Sequence, residues 1–299
     1  MKFRTRPEKT GEASVVAIGN FDGFHAGHKK IVQTLLATAR SQGLRSVILT
    51  FHPHPRVYFK QPIQLISTDR QRLEILRRQG PDYLFFIDFS DVADCPAAVF
   101  VTRLLLDTLQ MKVLIVGHDF RCGRDREGDL AFLRTQAART PFAIIRPRTL
   151  RRDGTRIASS TIREKLAAGS IEAANRMLGH AYAIDGIVEK GAGRGTQLGF
   201  PTLNLSTANQ ILPPGVFHTE TVIGKKCWPS LTNIGFAPTF NAGAAAPVRI
   251  ETHIPGFRRM IYGETVTIHF KKKIRTEMKF DSSRSLIEQI RRDVASLKI

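Results

Sequence analysis

The apolar pattern changes once along the chain, near Tyr182, and that change limits the possible folds more than any single motif. Before it, strand-like and helix-like segments alternate. Residues 14–20 (SVVAIGN) form a short apolar run. Residues 27–42 carry Ile31, Val32, Leu35, Leu36 and Ala39 at helical spacing, and Gly43 stops them. Strand-like runs at 46–51, 82–88 and 112–117 alternate with a helix over 70–79, closed by Gly80, and another opened by Pro96. Such alternation predicts βαβ units and a parallel sheet covered on both faces, with ligands beyond the carboxyl ends of its strands. From 182 to about 273 the chain reads instead as short strands separated by Gly, Pro and Asn, which predicts an antiparallel barrel or sandwich. A last helix over 285–297 places Leu286, Ile290, Val294 and Leu297 on one face. The expected domains are 1–182 and 183–299.

The 299 residues, 42% hydrophobic, suffice for two modest cores. No apolar run approaches the roughly eighteen residues of a membrane span. The opening MKFRTRPEKTGEAS lacks the apolar stretch of a signal peptide, so a cytoplasmic protein is expected. Cys95, Cys122 and Cys227 are odd in number and far apart, and read as free thiols with no zinc spacing among them. A formal charge of +19 attracts polyanions, nucleotides included. The basic run Arg146, Arg148, Arg151, Arg152 and Arg156 reads as a solvated hairpin around Asp153 and Gly154.

Residues 19–28 read Gly-Asn-Phe-Asp-Gly-Phe-His-Ala-Gly-His, where the first long strand turns into the first helix. Gly19, Gly23 and Gly27 let backbone approach a ligand closely. His25 and His28 can face one phosphate, which the helix N-terminus also attracts. Ser159-Ser160-Thr161-Ile162-Arg163 opens a further helix, with Ser159 as its expected N-cap and Arg163 suited to phosphate oxygens. Residues 191–204 form a Gly-rich loop leading into a short strand. They contain neither a Walker nor a dinucleotide-binding fingerprint, and a phosphate cradle and a plain barrel turn both account for them.

H-x-G-H after a first strand resembles the nucleotidyltransferase superfamily, and residues 159–163 resemble the phosphate-binding motif of the prokaryotic FAD synthetase module. Residues 117–124 (GHDFRCGR) resemble its flavin-side loop, where phenylalanine is commoner at position 122. Residues 50–56 (TFHPHPR) resemble its second loop, where an acid is usual at position 52. Farther on, Gly199-Phe200-Pro201-Thr202-Leu203-Asn204 resembles the riboflavin kinase signature. Thr232-Asn233-Ile234-Gly235 and Pro238-Thr239-Phe240 also match, although Ala237 stands where a polar residue is usual, and Thr196-Gln197 departs from common choices. From about Val15 to Leu297 the order and spacing resemble the bacterial bifunctional riboflavin kinase/FAD synthetases.

The resemblance implies an α/β protein: an N-terminal Rossmann-like nucleotidyltransferase domain over 1–182 and a C-terminal antiparallel β-barrel kinase domain with a terminal helix over 183–299. It implies phosphorylation of riboflavin to FMN, then adenylyl transfer from ATP giving FAD and pyrophosphate. Gly19, Phe21, Asp22, Gly23, His25, His28, Ser159, Ser160, Thr161 and Arg163 would bind one ATP, and Gly193, Gly195, Thr202 and Asn204 the other. Thr202 and Asn204 would hold Mg²⁺. Asp119, Phe120 and Arg121 would contact flavin. Catalytic roles fall to His28, Arg163 and the strand residue Glu251 as general base. Expected partners are riboflavin, FMN and ATP, with no specific nucleic acid and no membrane; the oligomeric state is not indicated. Two other readings compete. A cytidylyltransferase for a small alcohol phosphate accounts for H-x-G-H but not the C-terminal motifs. A nucleic-acid binder accounts for the charge but lacks an RNA-module signature.

Overall fold

Strand β2 (Ser14–Ile18) is buried along its whole length, as a strand covered on both faces must be. In the computed structural model, which describes residues 1–191, 193–236 and 248–297, the chain forms two compact units, Met1–Ala158 and Ser159–Ile299. The first is built on a six-stranded sheet: β1 (Lys2–Arg4), β2, β3 (Arg45–His52), β4 (Tyr83–Asp88), β5 (Met111–Val116) and β6 (Ala143–Ile145). Its order is β1-β4-β3-β2-β5-β6 and every pairing is parallel. Alternate residues of β2 serve opposite cores. Val15 and Ala17 pack with Val32, Leu35 and Leu76 from helices Ala26–Gln42 and Asp69–Arg78. Val16 and Ile18 pack with Phe100, Leu104 and Leu105. The segment after Pro96 is helical as expected, but Phe100–Thr108 is wound as a π-helix. Its buried spacing reads equally well as α, so the sequence carries no sign of the wider turn.

From β2 the chain runs outward one way through β3 and β4, and later the other way through β5 and β6. The switch point therefore lies between β2 and β5, whose last residues Ile18 and Val116 are direct partners. Ligands bind at such points in open parallel sheets. The basic run forms the short hairpin β7 (Arg151–Arg152) and β8 (Thr155–Arg156) around Asp153 and Gly154, as the sequence suggests.

The second unit holds a closed antiparallel barrel of β9 (Tyr182–Glu189), β10 (Thr202–Ser206), β11 (Gly215–Ile223), β12 (Lys226–Phe236), β13 (Val248–His253) and β14 (Thr265–Arg275). Its circular order is β10-β13-β12-β11-β14-β9. Phe217, Phe270, Ile184, Ile234 and Ile268 fill the interior. Among them runs a buried hydroxyl chain, Thr221–Ser230–Thr219–Thr232–Thr252, with links of 2.8–2.9 Å. Each hydroxyl can both donate and accept, so no polar atom of the chain need stay unpaired in the core. Helix Ser283–Ala295 begins two residues earlier than expected, because Ser282 caps it through Ser285 N. Asp293 on this helix is only 4% exposed and receives Arg275 Nε at 3.0 Å and Nη2 at 2.9 Å.

Two helices precede the barrel within the same unit, Ser159–Ala167 and Ile171–Leu178. The second docks through Asn175, whose amide donates to Phe270 O at 2.8 Å and accepts from Tyr182 N at 2.7 Å. Tyr182 and Phe270 are the terminal pair of the β9–β14 ladder. The compact units thus divide ahead of these helices.

Candidate active sites

The turn after β2 is tightly wound. Phe21 (φ 51°), Gly23 (φ 73°) and Phe24 (φ 38°) all adopt the left-handed region. Gly23 is obligatory, since a Cβ there would meet Ile66 Cγ2 at 2.7 Å as well as an unfavourable φ. Helix Ala26–Gln42 follows, and its N-cap is His25: Nδ1 accepts from His28 N at 3.3 Å. With Nδ1 accepting, the ring proton of His25 sits on Nε2. The two imidazoles stack with centroids 3.7 Å apart and planes 14° from parallel. The fully buried Phe21 ring packs on His28 in a T-shaped contact with centroids 5.3 Å apart. The sequence-expected residues Gly19, Phe21, Gly23, His25 and His28 are therefore brought together at the switch point. Asp22 is there too, but its carboxylate faces its own chain: it accepts from Ile66 N at 3.0 Å and Ser67 N at 3.1 Å.

Burial first, and the adjacent His25 second, hold the His28 imidazole well below the ordinary 6.5. It is neutral at pH 7 and offers an N–H donor rather than a charge. Because the folded value lies below the unfolded one, the stability it contributes is complete above about pH 6.5 and is lost as the pH falls towards the folded value. The melting temperature of the first unit is expected to drop between about pH 7 and pH 5, and His28→Asn to flatten that slope. Identical slopes in thermal melts of the two proteins would contradict the assignment.

The loop after β5 starts at Gly117, the residue after Ile18's partner Val116, and so lies beside the turn after β2. In it Asp119 pairs with Arg156 and lies 3.3 Å from His118 Nδ1. Burial raises the Asp119 carboxyl, but Arg156 and His118 more than offset this and leave it below the usual carboxylate range. Phe120 packs against the core and Arg121 pairs with Asp129 at 2.8 Å. Cys122 is buried, and burial pushes its thiol up to about 12, which makes it inert packing. His52, the last residue of β3, pairs with Asp69, and in the loop beyond it His54 caps the short helix Pro55–Tyr58. Among the described residues no cluster of histidine, cysteine or acid side chains could hold a metal.

Ser159, Ser160 and Thr161 form the first turn of helix Ser159–Ala167, with Arg163 one turn on, all in the second unit. Ser159 is the first helical residue rather than the cap before it, a one-position difference from the sequence reading.

On the barrel, Thr202 and Asn204 are two apart on β10 and so share a face. Register sets Asn204 opposite Glu251 on β13, and Glu251 opposite Asn233 on β12. Thr202 lies opposite His253. Their neighbours Ile250 and Thr252 point inward, so this row stands on the outer wall. The Gly-rich loop returns over it. A Cβ on Gly191 would lie 2.5 Å from Asn204 Cγ and closer still to its nitrogen. One on Gly195 would lie 3.2 Å from Thr202 Oγ1, whereas Gly193 (φ 71°) faces open space. His253 Nδ1 donates to Pro201 O at 2.8 Å and pins the signature to β13. The sequence reading misses Asn233, whose Oδ1 is buried beside Glu251 without a hydrogen-bond partner among the described residues. Its motif is visible in the sequence, but its register is not. Ala237 and Pro238-Thr239-Phe240 lie outside the described residues.

A parallel sheet with paired histidines at its switch point, joined in one chain to a closed barrel carrying a Thr-x-Asn strand, defines a two-module nucleotide-using transferase. Residues 7–161 match the FAD synthetase family model and residues 178–299 the riboflavin kinase model. Over 288 residues the chain is 36% identical to the bifunctional riboflavin kinase/FMN adenylyltransferase of Escherichia coli K12, covering 94% of this chain and 91% of that one. The enzyme of the same description from Bacillus subtilis is 32% identical over 286 residues, covering 94% and 90%. A crystal structure described as a macrolide-efflux protein from Streptococcus pneumoniae superposes with a TM-score of 0.88 at 26% identity, covering 99% of this chain and 98% of that one. Among the described residues no helix is long and apolar enough to cross a membrane. The chain belongs to the bifunctional riboflavin kinase/FMN adenylyltransferase family.

Proposed function

We propose that the two activities of this family are carried by two separate constellations of this chain. On the barrel wall, Glu251 takes the proton of the riboflavin 5′-hydroxyl as its oxygen attacks the γ-phosphorus of ATP, giving FMN and ADP. Thr202 and Asn204 offer hard oxygen donors two residues apart, without a carboxylate cage, which suits an ion held mainly by substrate phosphates. They would hold Mg²⁺, which offsets phosphate charge when bound. Gly193 and Gly195 bring backbone amides to the same nucleotide. At the sheet's switch point, the stacked His25 and His28 receive the phosphates of a second ATP, while Asp119, Phe120 and Arg121 face the flavin. A phosphate oxygen of FMN attacks the α-phosphorus and pyrophosphate leaves, so the residues position and stabilise without forming a covalent intermediate. Ser159, Ser160, Thr161 and Arg163 are assigned to ATP phosphate oxygens, through the helix N-terminus and the guanidinium. The free cysteines and the small-molecule substrates fit a cytoplasmic enzyme with no specific nucleic-acid or membrane partner.

The row Asn204–Glu251–Asn233 is the observation that supports the kinase half of this reading: Asn204 is opposite Glu251, and Glu251 opposite Asn233, in strand register. Gly191→Ala tests it. The added methyl group overlaps the Asn204 amide and displaces it. Riboflavin phosphorylation should fall at least about tenfold, while FAD formation from supplied FMN stays within about twofold of wild type. Unchanged phosphorylation would remove Asn204 from the site.

A further inference from the structure

Arg72 is only 3% exposed, yet it stands on helix Asp69–Arg78 one turn before the buried Leu76, where an apolar residue would satisfy packing. Its guanidinium reaches three strand ends at once. Nη1 donates to Asn20 O at 2.8 Å, just after β2, and Nη2 donates to Phe51 O at 2.8 Å, near the end of β3. The guanidinium carbon lies 5.1 Å from the centre of the Phe86 ring on β4. Nη2 also meets Asp69 Oδ1 at 2.6 Å. Burying a cation is costly unless it is paired and hydrogen-bonded, and here one carboxylate and two carbonyls offset the cost.

The same helix is tied to the turn a second time. Thr68 and Gln71 form a reciprocal capping box that fixes where the helix starts. Immediately before the cap, Ser67 Oγ accepts from Gly23 N at 3.1 Å, and the Ser67 and Ile66 amides donate to Asp22. Asn20 O and Gly23 N thus bracket Phe21, and both are held from this one helix start. The bracketed segment contains the left-handed residues Phe21 and Gly23, a conformation that persists only when its surroundings impose it.

We propose that Arg72 is a positioning residue for adenylyl transfer: it holds the turn that presents His25 and His28, and touches neither ATP nor FMN itself. This rests on the reading of residues 19–28 as the adenylyl-transfer site. A neutral side chain of similar length removes one charged donor from each of two carbonyls and a carboxylate, and the turn relaxes. Displacing reacting groups by about 1 Å costs on the order of 100-fold in rate.

The test uses full-length Arg72→Met and Arg72→Lys, with riboflavin phosphorylation on the same chain as the internal standard and thermal melts to choose a temperature at which each variant is folded. Arg72→Met should lower kcat/KM for ATP in FAD formation by about 100-fold, with kcat itself reduced, and Arg72→Lys by about tenfold. Phosphorylation should stay within about twofold, a split between two activities of one chain that a loss of global stability would not produce. If Arg72→Met does not fold, Arg72→Lys decides. A folded variant that forms FAD within about threefold of wild type, while His25→Ala/His28→Ala is inactive, overturns the role of Arg72. If the double histidine variant is also active, the reading of the turn fails first and the role of Arg72 falls with it.

Discussion

Replacing His25 and His28 together with alanine should all but stop the conversion of FMN to FAD, lowering kcat/KM by roughly three orders of magnitude, while riboflavin phosphorylation stays within about twofold. The expectation follows from the stack of the two rings at the switch point, 3.7 Å between centroids. A single preorganised donor to developing charge is worth about 100- to 1,000-fold. The single variants should not add up to the double, because stacked rings facing one phosphate act as a unit. His25 also caps its helix, so His25→Ala loses about 1 kcal/mol of cap as well as chemistry. His25→Asn keeps an acceptor at the cap, and a comparable loss of FAD formation in that variant assigns the effect to the imidazole. The readout is the FAD formed from supplied FMN and ATP, with phosphorylation measured on the same preparation. FAD formation within about tenfold of wild type in the double variant contradicts the assignment.

Glu251→Gln should produce the opposite selectivity, with riboflavin phosphorylation falling by about 100- to 10,000-fold and adenylyl transfer from FMN unaffected. Glutamine preserves size and leaves the cross-strand neighbours Asn204 and Asn233 in place. It cannot accept the proton that the ribityl hydroxyl must lose. A steady-state phosphorylation rate within about threefold of wild type would show that another group removes the proton. Because Glu251 lies on the outer wall of the barrel and not in its packed interior, the substitution should leave the melting transition of the second unit nearly unchanged.

Much of this is legible in the sequence, for identifiable reasons. The two periodicities and the break near Tyr182 give the parallel sheet and the antiparallel barrel, because burial on two faces and on one face leave different patterns. The turn at residues 19–28 is legible because glycines and paired histidines at a strand-to-helix junction suit a bound phosphate better than they suit packing. The hairpin around Asp153 and Gly154 follows from turn chemistry alone. What stays hidden depends on long-range pairing. Asn233 becomes part of a site only once β12 and β13 are aligned. Arg72 looks like one more charge on a basic helix until its burial against Asn20 and Phe51 is seen. The sequence reading misses the helix Ile171–Leu178, whose attachment to the barrel runs through the side chain of Asn175. The π winding of Phe100–Thr108 leaves no trace in the order of apolar residues. Nor does the motif reveal that the Asp22 carboxylate accepts from the backbone amides of Ile66 and Ser67.

The most direct measurement is a time course of the purified wild-type chain with riboflavin, ATP and Mg²⁺, with flavins and nucleotides separated by chromatography. Two sites working in sequence should make FMN accumulate first and FAD grow at its expense, with ADP released in the first step and pyrophosphate in the second. FMN that never proceeds to FAD, or riboflavin that stays unchanged beside intact ATP, would contradict the claim that this one chain carries both reactions.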